Sequence, residues 1–205
     1  MTELKLTKTQ LRFEQVKLDR LRKYLPTLQL KKALLQVEVN QAQAQLEAIR
    51  IEFEGAQEKL HKSVSLFTER GVTDLFPAVR VTRVISSCEN IAGVEIPLFE
   101  GVEFDPPSYS LFATPLWFES AMAELRELIT IREKMKIAEA KKRALEKELK
   151  EVSIRVNLFE KILIPRSLAN IKKIKIFLGD QQLAAVAQAK VAKKKILLRH
   201  LKELA

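Results

Sequence analysis

The fold of this chain is decided by residues 11–67, which read LRFEQVKLDRLRKYLPTLQLKKALLQVEVNQAQAQLEAIRIEFEGAQEKLHKSVSLF. This stretch can be written as a heptad repeat with seventeen a and d positions, and fourteen of those positions hold apolar residues. The a positions are Leu11, Leu18, Leu25, Lys32, Val39, Leu46, Phe53, Leu60 and Phe67, and the d positions are Glu14, Leu21, Leu28, Leu35, Ala42, Ile49, Ala56 and Ser63. A repeat sustained over this length predicts a coiled-coil helix rather than an ordinary surface helix.

A second heptad repeat begins at Ala121, and eleven of its thirteen a and d residues are apolar. The a positions are Ala121, Leu128, Met135, Lys142, Leu149, Val156 and Leu163, and the d positions are Glu124, Ile131, Ala138, Leu145, Val152 and Phe159. Because the chain must turn back between the two repeats, we predict an antiparallel pair of long helices. The first helix would be roughly 85 Å long at the rise of an α-helix.

The segment between the two repeats has a different character, and it contains five of the seven prolines. Residues 79–85 alternate and are rich in β-branched side chains, which predicts a strand. We expect a turn at residues 86–90, a second strand at residues 91–98 with Pro97 on an exposed edge, and a loop at residues 101–115. The predicted fold is therefore mainly α, a long antiparallel two-helix coiled coil with a small central globular region that contains a β-hairpin. Its parts are residues 1–70, 71–115 and 116–205.

Helix signals refine these boundaries. Thr7 or Thr9 can cap the first helix, and Gly71 suits its exit. Thr114 and Pro115 are a plausible start for the second helix. Pro26 predicts a kink near Tyr24, and Pro165 should interrupt the second helix, with an apolar stripe continuing beyond it at Leu168, Ile171, Ile174 and Leu178.

The net charge of +10 is unevenly distributed. The last twenty residues hold six Lys and Arg against one Glu, whereas residues 68–120 hold three against eight Asp and Glu. The basic cluster of Lys193, Lys194, Lys195 and Arg199 is a candidate binding surface for phosphates or for an acidic protein. Because the last twenty-five residues contain no Phe, Tyr or Trp, we favour a protein partner or a solvated helix end over nucleic acid.

No catalytic constellation is visible in the sequence. Phosphate-binding loops and dinucleotide fingerprints are absent, and His61 and His200 have no partner at metal-ligand spacing. We therefore expect a non-enzyme without cofactor or metal. The single cysteine, Cys88, excludes an intrachain disulfide and fits a reducing cytosol. The first residues lack the apolar core of a signal peptide, and no apolar run is long enough to span a bilayer.

Two segments resemble a known family. Residues 89–97, ENIAGVEIP, resemble the Asn-Val/Ile-Ala-Gly-Val-x-x-Pro segment of the D subunit of the V-type and A-type rotary ATPases. Residues 154–165, IRVNLFEKILIP, are similar to the Arg-Arg-Val-Asn-Ala-Leu-Glu…Ile-Pro segment of the same family, with Ile154 in place of its first arginine. The resemblance extends in the right order over nearly the whole chain.

The resemblance implies a central rotor shaft of a proton- or sodium-translocating ATPase or ATP synthase of bacterial or archaeal type. Such a shaft is not catalytic. It couples ATP hydrolysis or synthesis in a hexamer of A and B subunits to rotation of the membrane ring. The implied partners are that hexamer, the F subunit and the funnel subunit (C or d), with no nucleic acid and no membrane insertion. The implied location is cytoplasmic, peripheral to the membrane.

The two family segments supply the remaining candidate contact residues. Asn90, Gly93 and Pro97 belong to the hairpin, where a packing role and a contact with the F subunit or a regulator are both open. Arg155 and Asn157 flank the seam residue Val156 of the second repeat, and Glu160 follows Phe159, so these residues would set helix register or contact another protein of the complex. Two other functions remain open, a generic coiled-coil scaffold or tether and a basic nucleic-acid-binding helical protein.

Overall fold

The computed structural model describes residues 4–63, 75–106 and 114–203. Its elements, in chain order, are α1 (Lys8–Ser63), α2 (Leu75–Ala78), β1 (Val81–Ile91), β2 (Val94–Phe104), α3 (Phe118–Leu158), a π-helical segment (Phe159–Leu163) and α4 (Ile164–Glu203). They form two compact units. Unit 1 contains Met1–Leu30 with Ser153–Ala205, and unit 2 contains Lys31–Val152.

The heptad pattern is confirmed by burial, and with it the mainly α fold. Every a and d residue from Leu11 to Leu60 and from Ala121 to Leu163 is buried or half-buried. In unit 2 the helices run antiparallel, since Lys31 contacts Glu148 and Glu52 contacts Lys134. In unit 1, α1 contacts α4 through a hydrogen bond from the Asn170 side chain to the Glu14 carboxylate. The predicted heptad position Phe67 and the side chain of Ser63 lie outside the described residues.

The predicted helix starts are close to those observed. The Thr7 hydroxyl accepts a hydrogen bond from the Gln10 backbone N–H at 3.2 Å, which confirms Thr7 as a cap of α1. Helix α1 is continuous through Pro26, and the kink expected there stays a prediction. The expected exit at Gly71 lies outside the described residues. Helix α3 begins at Phe118, whose N–H donates to the Pro115 carbonyl at 3.1 Å.

The α-helical geometry changes directly before Pro165. In the π segment the Ile164 N–H donates to the Phe159 carbonyl, five residues back. Proline has no N–H and its ring crowds the carbonyl four residues earlier, so a wider turn ahead of it lets the helix continue. Pro165 therefore interrupts the α-helical bonding but not the helical path.

The π segment also moves the apolar seam by one residue. An uninterrupted repeat would place Arg166 at the d position after Leu163, yet Arg166 is exposed and Ser167 is 2% exposed. The seam then continues through Ile171, Ile174 and Leu178. The expectation that Leu168 belongs to this stripe is wrong, since 42% of it is exposed. A wide turn absorbs one extra residue, which rotates all later positions.

Strands β1 and β2 form an antiparallel hairpin whose register runs from Val81 opposite Phe104 to Ile91 opposite Val94. The turn predicted at residues 86–90 is wrong, because those residues belong to β1 and the chain turns at Ala92 and Gly93. Both turn residues have positive φ, 52° and 83°, as a two-residue type I′ turn requires. The loop expected at residues 101–115 is also partly wrong, since β2 continues to Phe104.

The base of the hairpin packs on the start of α3. Ala78, Val79, Phe118, Ala121 and Met122 form a buried cluster, and Trp117, Leu125 and Ile129 pack against it. A two-stranded sheet is marginal alone in water, so this packing is what stabilises it.

Candidate functional site

The tip of the hairpin is built by Asn90 and Gly93, which the structure brings together. The Asn90 side-chain oxygen accepts a hydrogen bond from the Gly93 N–H at 2.9 Å, which stabilises the turn. A Cβ placed on Gly93 would lie 3.9 Å from the Lys31 ammonium. The Lys31 ammonium in turn binds the Glu148 carboxylate at 2.7 Å, with both side chains about a quarter to a third exposed, at 31% and 24%. The turn therefore lies beside an ion pair that joins α1 to α3.

The base of the hairpin is held by Arg126, a residue that no pattern in the sequence singles out. Its Nη2 donates to the carbonyl oxygens of Ala78 at 2.6 Å and Asp105 at 3.0 Å, and its Nε donates to Ala78 at 3.1 Å. Ala78 precedes β1 and Asp105 follows β2, so one guanidinium joins both ends of the hairpin to α3. The same group lies 5.0 Å from the centre of the Phe104 ring, a favourable cation–π distance.

Glu133 forms a small charged cluster on α3 with Arg132 and Lys136. Burial raises the pKa of the Glu133 carboxyl, but hydrogen bonds and charge from Lys136 and Arg132 outweigh burial, so its pKa lies below the usual value of 4.5. The Lys136 ammonium is 2.7 Å from the carboxylate and the Arg132 guanidinium 3.2 Å. The carboxylate therefore stays ionised at neutral pH.

Pro97 lies within β2, opposite Cys88, and is half-buried. It lines a groove between the strand and the two helices of unit 2, together with Leu98 and Phe99. Each strand of a two-stranded sheet has one unpaired edge, which is where a residue without an N–H is tolerated. Cys88 is exposed.

Arg155, Asn157 and Glu160 are all exposed, and they surround the buried seam residue Val156. Arg155 has an interaction partner in the structure. Neither the register role nor the intersubunit contact predicted for these three residues is tested by this arrangement, so both stay predictions.

Polar residues do occur inside the seam, at positions that the sequence analysis did not single out as a site. Glu14 is 5% exposed, and its Oε1 accepts a hydrogen bond from the Asn170 side chain at 3.4 Å. Its second oxygen has no partner among the described residues. The signal was present in the sequence, since Glu14 is a carboxylate at a d position and polar seam residues fix helix register.

The basic cluster lies on α4, where every described side chain from Asp180 to Arg199 is exposed. Lys193, Lys194, Lys195 and Arg199 are therefore all accessible to a partner. Exposed apolar side chains accompany them on the same helix, at Leu183, Val186, Val191, Ile196, Leu197 and Leu198. A helix that exposes this many apolar residues is suited to contact another protein surface.

The described residues contain no group of three or more His, Cys, Asp or Glu side chains that could hold a metal ion. Within residues 4–63, 75–106 and 114–203, no helix is both long and apolar enough to cross a membrane.

The chain is similar to proteins of one family over nearly its full length. A family model that describes the D subunit of ATP synthase matches residues 10–194. The V-type ATP synthase D subunit of Chlamydia caviae is 43% identical over 199 residues, which cover 97% of this chain and 96% of that protein. The proteins of the same description from Chlamydia pneumoniae and Chlamydia trachomatis serovar L2 are each 42% identical, over 96% and 95% of this chain.

Proposed function

The chain belongs to the family of ATP synthase D subunits, and on that premise we propose that it is the central rotor shaft of a V-type ATPase or ATP synthase. In this role it couples ATP hydrolysis or synthesis in a hexamer of A and B subunits to rotation of the membrane ring. It performs no catalysis itself, and it works at the cytoplasmic side, peripheral to the membrane.

The observation that carries this proposal is the apolar seam. A shaft transmits torque only if its helices do not slide past each other. Each a or d side chain that leaves its packing site loses dispersion contacts and exposes apolar area. In α1 and in the helices from Ala121 to Leu163, none of the described seam residues is exposed. Such packing resists sliding at every heptad.

The candidate contact residues suggest where partners bind. We assign the exposed apolar and basic face of α4, with Lys193, Lys194, Lys195 and Arg199, to the hexamer. The hairpin, with Asn90, Gly93 and Pro97, and the exposed residues Arg155, Asn157 and Glu160 are assigned to the F subunit or to the funnel subunit. Exposed ion pairs contribute about 0–1 kcal/mol each, which suits a contact that must slide during rotation.

Single-molecule rotation tests the proposal, and the chain supplies its own labelling site. Cys88 is the single cysteine and is exposed, so a gold bead can be attached there without engineering. With the hexamer fixed to a surface, ATP should drive rotation of the bead in one direction. The Cys88→Ser variant, treated identically, should carry no bead.

Two results would contradict the shaft. A bead that stays fixed while the assembled hexamer hydrolyses ATP would indicate a scaffold or tether. A purified chain that carries absorbance at 260 nm, removable by salt, and that does not join the hexamer would indicate a nucleic-acid-binding protein.

A further inference from the structure

A groove in unit 2 lies between the hairpin and the paired helices, and the proposed function assigns no small-molecule ligand to it. One side of the groove is formed by Pro97, Leu98 and Phe99 of β2. Its opposite wall is Ile49 of α1 and Ile137 and Ala138 of α3. The groove has a volume of about 370 Å³, at the lower end of the range for small-molecule sites.

Two polar bridges between α3 and α1 border this apolar wall, one heptad apart. The Lys134 ammonium contacts the Glu52 carboxylate at 3.1 Å, so its charge is neutralised. The Lys141 ammonium contacts only the neutral side-chain oxygen of Gln45, through a long hydrogen bond of 3.4 Å. Within the described part of the chain Lys141 has no ion pair with a carboxylate, so its ammonium is available to a negatively charged ligand in the groove.

We propose that this groove binds a small amphipathic monocarboxylate. The carboxylate binds the Lys141 ammonium, and the apolar body lies between β2 and the wall formed by Ile49 and Ile137. Small-molecule sites are mostly apolar with a few polar groups that fix orientation, and this groove has that composition. A carboxylate adds attraction between two full charges, which the contact of the Lys141 ammonium with the neutral Gln45 side chain lacks.

The bound molecule would touch all three elements that form the groove. It would therefore hold the hairpin against the helices and reduce local opening of β2. This inference rests on the geometry of unit 2 alone and does not depend on the role of the chain as a shaft.

Titration of the full chain with octanoate tests the proposal, with octan-1-ol as the uncharged probe. Methyl resonances of Ile49, Ile137 and Leu98 should shift with octanoate. In the Gln45→Glu variant the new carboxylate pairs with Lys141, so octanoate should bind about tenfold more weakly while octan-1-ol is unaffected. The Gln43→Glu variant adds the same charge at an exposed position outside the groove and should leave both affinities unchanged.

A second pair of variants tests the location. Ala48 lines the groove but is exposed, so Ala48→Phe fills the space without disturbing the seam, and both probes should lose binding. Ala44→Phe, at an exposed position one turn earlier, should bind as the unaltered chain does. Absence of octanoate-induced shifts at the three methyl-bearing residues overturns the proposal. Equal octanoate affinity of the Gln45→Glu and Gln43→Glu variants overturns it as well.

Discussion

Gly93 has a backbone conformation that favours glycine in the turn of the hairpin. Its φ of 83° lies in the left-handed region, where a side chain strains the backbone even though the nearest atom, the Lys31 ammonium, would be at an ordinary contact distance of 3.9 Å. We expect Gly93→Ala to lower the free energy of unfolding by about 1–2 kcal/mol. The Gly101→Ala variant is the control, because a Cβ at Gly101 would have no neighbour within 4 Å and the residue does not have a left-handed φ. Its free energy of unfolding should change by no more than about 0.5 kcal/mol.

Urea denaturation of the two glycine variants measures this difference, and amide hydrogen exchange across β1 and β2 locates it. Faster exchange confined to the hairpin of Gly93→Ala agrees with a strained turn. Equal losses of stability in both variants would mean that the backbone conformation at Gly93 is not what selects glycine there.

The π segment shifts the apolar seam of the helices by one residue. Ser167 is 2% exposed in the seam, whereas Arg166, its neighbour, is exposed. We therefore expect Ser167→Leu to overpack the seam and destabilise unit 1 by about 1–3 kcal/mol. Arg166→Leu should change stability by no more than about 0.5 kcal/mol. Thermal unfolding of both variants is the measurement, and the opposite order of stability would indicate an uninterrupted heptad through Pro165.

The sequence predicts some elements better than others. Elements that depend on neighbouring residues are predicted well, whereas elements that depend on pairing with another part of the chain are not. The a and d pattern from Leu11 to Leu60 depends only on local spacing, and burial follows it at every position. The hairpin turn was misplaced because Ser86, Ser87 and Asn90 favour turns locally, whereas the pairing of Ile91 with Val94 decides where the chain reverses. The extra residue at the π segment has no local signal except Pro165.

At the scale of the whole molecule, the contacts that the sequence does not predict join residues far apart along the chain. Arg126 is bound by Ala78 and Asp105, which are 48 and 21 residues away along the chain. Lys31 and Glu148, at the hairpin tip, are separated by 117 residues. Heptad spacing identifies which helices pair, but it does not state which polar residues meet beside the seam. The groove and its positive border at Lys141 were therefore not predictable from the sequence.

On the proposed function, we expect the net charge of +10 to make association with an acidic partner depend on salt, and the basic cluster on α4 should contribute much of this dependence. On the proposed function, replacing Lys193, Lys194 and Lys195 together by Gln should weaken association with the hexamer roughly tenfold at low salt. At about 1 M salt the difference should vanish, since screening removes interactions between exposed charges. The matched control replaces Lys172, Lys173 and Lys175, which are exposed on the same helix, and removes the same charge.

If both triple variants lose the same affinity at low salt, net charge alone governs the association and the cluster has no specific contact. An affinity that no triple substitution changes at any salt concentration would leave the exposed apolar residues of α4 as the surface that binds.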